Sequence, residues 1–89
     1  MAEQNLPLQM IAVCDQNGRL EPLRFRFEDL EHCLHTAQVT ALLDTRAVEY
    51  AGAEAFHYVC RARLEGREKL FELRYAIRTH RWVLLRELY

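Results

Sequence analysis

The chain has 89 residues, 51% of them apolar and 28% charged, with a formal net charge of −1. That length makes one domain with a modest core and leaves too little chain for the folds of glycoside hydrolases, kinases or dinucleotide enzymes. The near-neutral balance excludes a general nucleic-acid coat, which depends on many phosphate contacts.

Residues 8–14, LQMIAVC, form a short apolar run that reads as a strand buried on both sides. The following DQNG at 15–18 is turn chemistry, with Gly18 able to take positive φ. From Leu20 to Glu28 the chain alternates: Leu23, Phe25 and Phe27 share one face, while Arg24, Arg26 and Glu28 share the other. A hairpin over 8–28 is the economical reading. Pro22 cannot donate a ladder hydrogen bond and belongs at an edge, near the strand start or at a bulge.

Residues 29–54 carry two competing patterns. Leu30, Leu34, Ala37 and Ala41 fit a helical stripe behind Asp29 as N-cap. A strand over about 32–43 would instead put Cys33, His35, Ala37, Val39, Ala41 and Leu43 on one side. Further on the alternation is plain. Phe56, Tyr58, Cys60, Ala62 and Leu64 face one way, against His57, Arg61 and Arg63. After Glu65-Gly66 it resumes with Phe71, Leu73, Tyr75 and Ile77, and Trp82-Val83-Leu84-Leu85 closes the chain as a more fully apolar strand.

A Gly18-x-Leu20-x-Pro22-Leu23-x-Phe25-x-Phe27 arrangement precedes Tyr58-x-Cys60, then EKLFELRY at 68–75 and Trp82-x-Leu84. This order, spanning roughly residues 10–85, resembles a group of short uncharacterised bacterial proteins typical of anaerobic Firmicutes and their gut relatives. The resemblance implies a small, strand-rich, SH3-like barrel with a strand over 31–43, and no established activity. A fainter similarity is to small barrel domains encoded beside error-prone DNA polymerases. The chain departs from the group in lacking a turn-forming insertion after Glu28-Asp29, which leaves the connection there open.

His32, Cys33 and His35 come nearest to a metal motif. On a strand, however, Cys33 and His35 point one way and His32 the other, so at most two ligands converge. Cys14, Cys60 or His80 would have to complete the four ligands of a structural zinc site. No C-x-x-C or H-E-x-x-H spacing is present, and neither a metal nor a cofactor is expected. A Cys60 nucleophile with His57 or His80 as base is the one nucleophilic arrangement to weigh. Cys60 falls on the apolar face, where burial raises a thiol's pKa and makes it inert. Serine is absent from the chain, and there is no glycine-rich phosphate loop. The expectation is a protein that is not an enzyme.

Residues 1–45 carry three basic and seven acidic side chains, and residues 46–89 carry nine and six; eleven of the twelve cations are arginine. Arg24, Arg26, Arg61, Arg63 and Arg74 are all expected to point away from the core, the set that a nucleic-acid-binding sheet face would use. Cross-strand pairing with Glu28, Glu65 and Glu72 is the competing account. Leu70, Val83 and Leu85 fall opposite their neighbours' core side, so they are expected to be exposed in a monomer and to form an interaction surface, with a dimer as the consequence. Three cysteines without close pairing, no signal peptide and no membrane-spanning apolar segment point to a reduced cytoplasm.

The sequence thus predicts one all-β domain over residues 1–89, an SH3-like antiparallel barrel of five to six strands, with a helix near 29–43 as the alternative. Its core would be Phe25, Phe27, Tyr58, Phe71, Leu73, Tyr75 and Trp82. The expected role is a small cytoplasmic bacterial binding or accessory module acting through protein–protein contacts or self-association. A nucleic-acid accessory domain is the alternative, and no membrane partner is expected.

Overall fold

The alternating segments become six antiparallel strands: β1 (Leu6–Cys14), β2 (Leu20–Glu28), β3 (Leu34–Tyr50), β4 (Ala53–Leu64), β5 (Arg67–Ala76) and β6 (Arg81–Glu87). The computed structural model describes residues 4–88, with the backbone alone at Tyr50. The strands follow chain order around a closed barrel, and β6 returns to β1 through Leu6 opposite Leu84, Pro7 opposite Val83 and Leu8 opposite Trp82. Among the described residues there is no helix, and the helical stripe proposed for the middle fails visibly, since Leu30 and Leu34 are 78% and 69% exposed.

The core is the inward face of each strand. Phe25, Phe27, Tyr58, Cys60, Phe71, Leu73, Trp82 and Leu84 form one cluster, with Tyr75 partly buried against it. Phe25 meets Phe71 edge-on at 5.4 Å between centroids, the arrangement ring quadrupoles favour. Ala37 and Ala62 are fully buried opposite these rings, because a narrow barrel alternates large and small residues.

Two of the connections share one chemistry. At Asp15 the backbone N–H donates to the Arg19 carbonyl, and Gly18 N–H donates back to the Asp15 carbonyl. The Asp15 carboxylate accepts from the N–H groups of Asn17 and Arg19. The β2–β3 connection repeats this arrangement at the same offsets. Asp29 N–H donates to Cys33 O and His32 N–H to Asp29 O, while the Asp29 carboxylate accepts from Glu31 and Cys33 N–H. Gly18 (φ +83°) and His32 (φ +66°) hold the same left-handed position. The turn after Glu28-Asp29, left open by the sequence, is therefore built by Asp29 itself. Glu65-Gly66 links Leu64 to Arg67 as a two-residue hairpin with both φ positive, as its composition suggests.

Bulges decide where alternation breaks. Ile11 opposes Arg24 while Ala12 opposes Pro22, so Leu23 is the extra residue. Pro22 turns inward and is buried, and Leu23 is 40% exposed instead of joining Phe25 and Phe27. In β6, Leu84 opposes Leu73 while Arg86 opposes Glu72, leaving Leu85 extra. Leu84 enters the central cluster and Leu85, 1% exposed, is buried outside it. β3 carries two such irregularities, at Thr40 and Leu43. Bulges bend a strand and sharpen its twist. Here they occur where β3 leaves β2: pairing between those two strands stops at Arg24–Gln38, while β3 continues along β4 to Tyr50 opposite Ala53.

Candidate functional site

Two surfaces stand out, one charged and one unpaired. The charged one follows from register. Arg24 sits opposite Gln38, and Gln38 opposite Arg63, in one row across β2, β3 and β4. Arg26 sits opposite Thr36, and the Thr40 hydroxyl donates to the Arg61 carbonyl one step further along. Arg24, Arg26, Arg61 and Arg63 are all exposed, on the side away from Phe25, Ala37 and Ala62. Four of the five arginines singled out by sequence are thus brought onto one outer face, interleaved with Thr36, Gln38 and Thr40. No ion pair to any of the four is found among the described residues, although Glu68 flanks Arg63 on β5. Arg74 does not join them. It sits opposite His57 and Val83 towards the other end of β4 and β5 and is half-buried.

The unpaired surface is the edge of β3. Beyond Gln38 its β2-facing side belongs to no ladder. Leu42 to Ala47 are consecutively exposed, so this stretch is open to solvent on both faces as well as along one edge. Thr45 and Ala47, with Phe56 and Tyr58 of β4, line a cleft of about 490 Å³ whose other wall is the Asp15–Leu20 segment. Tyr58 closes its floor, its hydroxyl donating to the Leu20 carbonyl at 2.9 Å, on a ring otherwise buried. Burial raises the Tyr58 phenol pKa, which keeps it a donor.

The interaction residues expected from sequence lie elsewhere, and the expectation of exposure is corrected. Leu85 is buried because the β6 bulge turns it in, and Leu70 and Val83 are half-buried. Among the described residues, the large apolar side chains that are exposed are Ile11, Val13, Leu23, Leu42 and Leu43, with Leu30 in the β2–β3 turn and Leu34 at the start of β3. Strict alternation hid Leu23 and Leu43, since each is the extra residue of a bulge.

The remaining polar chemistry is structural in arrangement. The His35 ring lies between Asp29 Oδ2 at 2.7 Å and Glu65 Oε1 at 2.9 Å. Ionised carboxylates only accept, so both ring nitrogens must donate, which is the imidazolium form. The Asp29 hydrogen bond raises the His35 pKa and the Glu65 contact adds to it, against the opposing effect of burial. Asp29 is lowered, first by the Cys33 N–H and then by His35. His32 pairs with Glu28 at 3.1 Å on the surface. Cys33 is exposed, its N–H bound to Asp29, so these three do not converge as a ligand set. Among the described residues no group of His, Cys, Asp and Glu has the arrangement to hold a metal ion. Cys60 is fully buried, and desolvation pushes its thiol up to about 12. Its partners in the nucleophile arrangement lie apart: His57 is on the opposite face of β4, and His80 Nδ1 faces the Tyr75 hydroxyl at 2.8 Å. No helix among the described residues is long and apolar enough to cross a membrane. No protein-family model, curated protein or solved structure matches the chain.

Proposed function

We propose that this protein is a small non-catalytic binding module that acts through protein–protein contacts, receiving a partner strand along the free edge of β3. The observation that carries the reading is the run Leu42–Ala47, exposed on both faces with one backbone edge outside any ladder. A row of unpaired N–H and C=O groups is a template for strand addition, with backbone hydrogen bonds supplying affinity and side-chain pockets selectivity. The cleft beside Thr45 and Ala47 supplies the pocket. Two exposed free thiols, Cys14 and Cys33, suit a reducing compartment, and we place the module in the cytoplasm. We also take the short strand-rich bacterial proteins as its relatives, on the Gly18–Phe27 pattern. The test is a photo-cross-linking residue at Leu43 in cells. The expected product is a discrete polypeptide adduct absent when the same residue is placed at Glu68; adducts no different from those at Glu68 would overturn the reading.

A second reading rests on the arginine face. Four exposed arginines with no ion pair among the described residues suit a polyanion, and a nucleic-acid backbone is the anionic polymer we favour. Every phenylalanine in the chain is buried or half-buried, so none is free on this face to stack on bases. Binding would then follow phosphate spacing rather than base identity. Fluorescence anisotropy with single-stranded and duplex oligonucleotides at two salt concentrations checks it. Each phosphate contacted contributes a log–log salt slope of about −0.9 on duplex. Binding that Arg24→Ala and Arg63→Ala each weaken, with a shallower slope, is expected; no salt-dependent binding at tens of micromolar would remove this reading.

A further inference from the structure

Resting on the docking role of the β3 edge, we propose that its partner is a second copy of this chain, paired antiparallel through β3 with Thr45 on the two-fold axis. The argument starts from symmetry. A two-fold relating neighbouring antiparallel strands stands perpendicular to the sheet, so it leaves every side chain on its own face. Where the strand alternates without a bulge, from Asp44 onwards, residues that meet across it must therefore lie an even number of positions apart. That restricts the axis to a residue rather than a peptide bond, and only a few residues of the exposed run qualify.

The sequence Ala41-Leu42-Leu43-Asp44-Thr45-Arg46-Ala47-Val48-Glu49 chooses among them. An axis on Asp44 or Arg46 sets like charges directly opposite each other, which is destabilising. An axis on Ala47 sets Arg46 against Val48, and one on Leu43 falls on the extra residue of a bulge, where regular pairing is broken. With Thr45 on the axis, Asp44 of each copy faces Arg46 of the other on the face that Val59 and His57 share, and the bulge at Leu43 ends the regular ladder there. Charge meets opposite charge twice, counting both halves, and no like charges are opposed. Within one chain Arg46 Nε already lies 3.2 Å from Asp44 Oδ2 along the same face, so the paired strands would bring four alternating charges together. The bulges at Thr40 and Leu43 come where pairing with β2 ends, and Leu42, Leu43, Asp44, Thr45, Arg46 and Ala47 are all exposed.

Sedimentation equilibrium between one and several hundred micromolar tests the proposal, monomer being 10.6 kDa. Twice that mass is expected within the range. Asp44→Arg alone places cation against cation, and Arg46→Asp alone places acid against acid; each should weaken association at least about tenfold, as loss of a favourable pair and gain of a like-charge contact imply. The double variant Asp44→Arg with Arg46→Asp re-forms both pairs and should return to within a few-fold of the parent. Both side chains are exposed, and circular dichroism confirms that the variants fold. A parent chain that stays monomeric throughout overturns self-pairing, as does a dimer indifferent to the single reversals. If the parent is monomeric while the cross-linker at Leu43 still gives a polypeptide adduct, the edge docks some other chain and only self-pairing falls.

Discussion

His32 carries a backbone cost that Gly18 avoids in the matching turn. A left-handed conformation costs an L-residue roughly 1–2 kcal/mol, while glycine adopts it freely. The surface contact of His32 with Glu28 is exposed and offsets little of this. His32→Gly should therefore raise stability by about 0.5–1 kcal/mol in thermal or urea unfolding, the greater freedom of glycine in the unfolded chain absorbing part of the gain. A neighbouring residue responds to pH. His35 has its pKa raised by Asp29 and Glu65, so its stabilisation is fully present below the unfolded-state value near 6.5 and is lost as pH rises through the higher folded value. Asp29, lowered, contributes above its ordinary value and loses that contribution as pH falls through the folded one. The His35 ring should titrate above the unfolded histidine by NMR, and His35→Gln should flatten the fall in stability on the alkaline side of that window. Thiol labelling gives a third check at this scale: Cys14 and Cys33 should react with a disulfide reagent in the folded protein, and Cys60 only on unfolding.

Strand periodicity made most of the core legible: every residue expected there is buried except Tyr75, which is partly so. Period-two reading fails wherever one strand gains a residue, because a single insertion flips every side chain beyond it. That is why Leu23 went to the wrong side and why Leu85 looked exposed. Leu85→Ala should accordingly behave as a core truncation, costing about 2–5 kcal/mol in unfolding while leaving any association constant per folded chain unchanged. The end of β3 was hidden for another reason. Thr45, Ala47 and Glu49 alternate with Arg46 and Val48 without a clear apolar face, since neither face packs on a core. The arginine face, by contrast, followed from alternation, though convergence needed the β2–β3–β4 register, and the loss of Arg74 needed its distance along β4 and β5. The Asp29 turn was legible in principle, as DLEHC repeats the aspartate of DQNGR, but histidine in the left-handed position masked it.

Across the whole barrel, pairing is uneven. β4 and β5 share ten opposed residue pairs, whereas β1 and β6 share three. The seam between first and last strand brings together residues far apart in the chain, so its closure costs the most loop entropy for the fewest opposed pairs. Amides of Leu6 and Leu8 should therefore exchange with deuterium sooner than those of Tyr58, Cys60 and Phe71, with free energies below that of global unfolding. The chain's single tryptophan lies on that seam. Trp82 stands opposite Leu8 on one side and Tyr75 on the other, with the Tyr58 ring 5.2 Å away and only 8% of its surface exposed. Its indole is thus an intrinsic optical reporter of barrel closure. Emission should shift to longer wavelength, and become open to collisional quenching by iodide, when the seam parts, before far-ultraviolet dichroism registers loss of the strands.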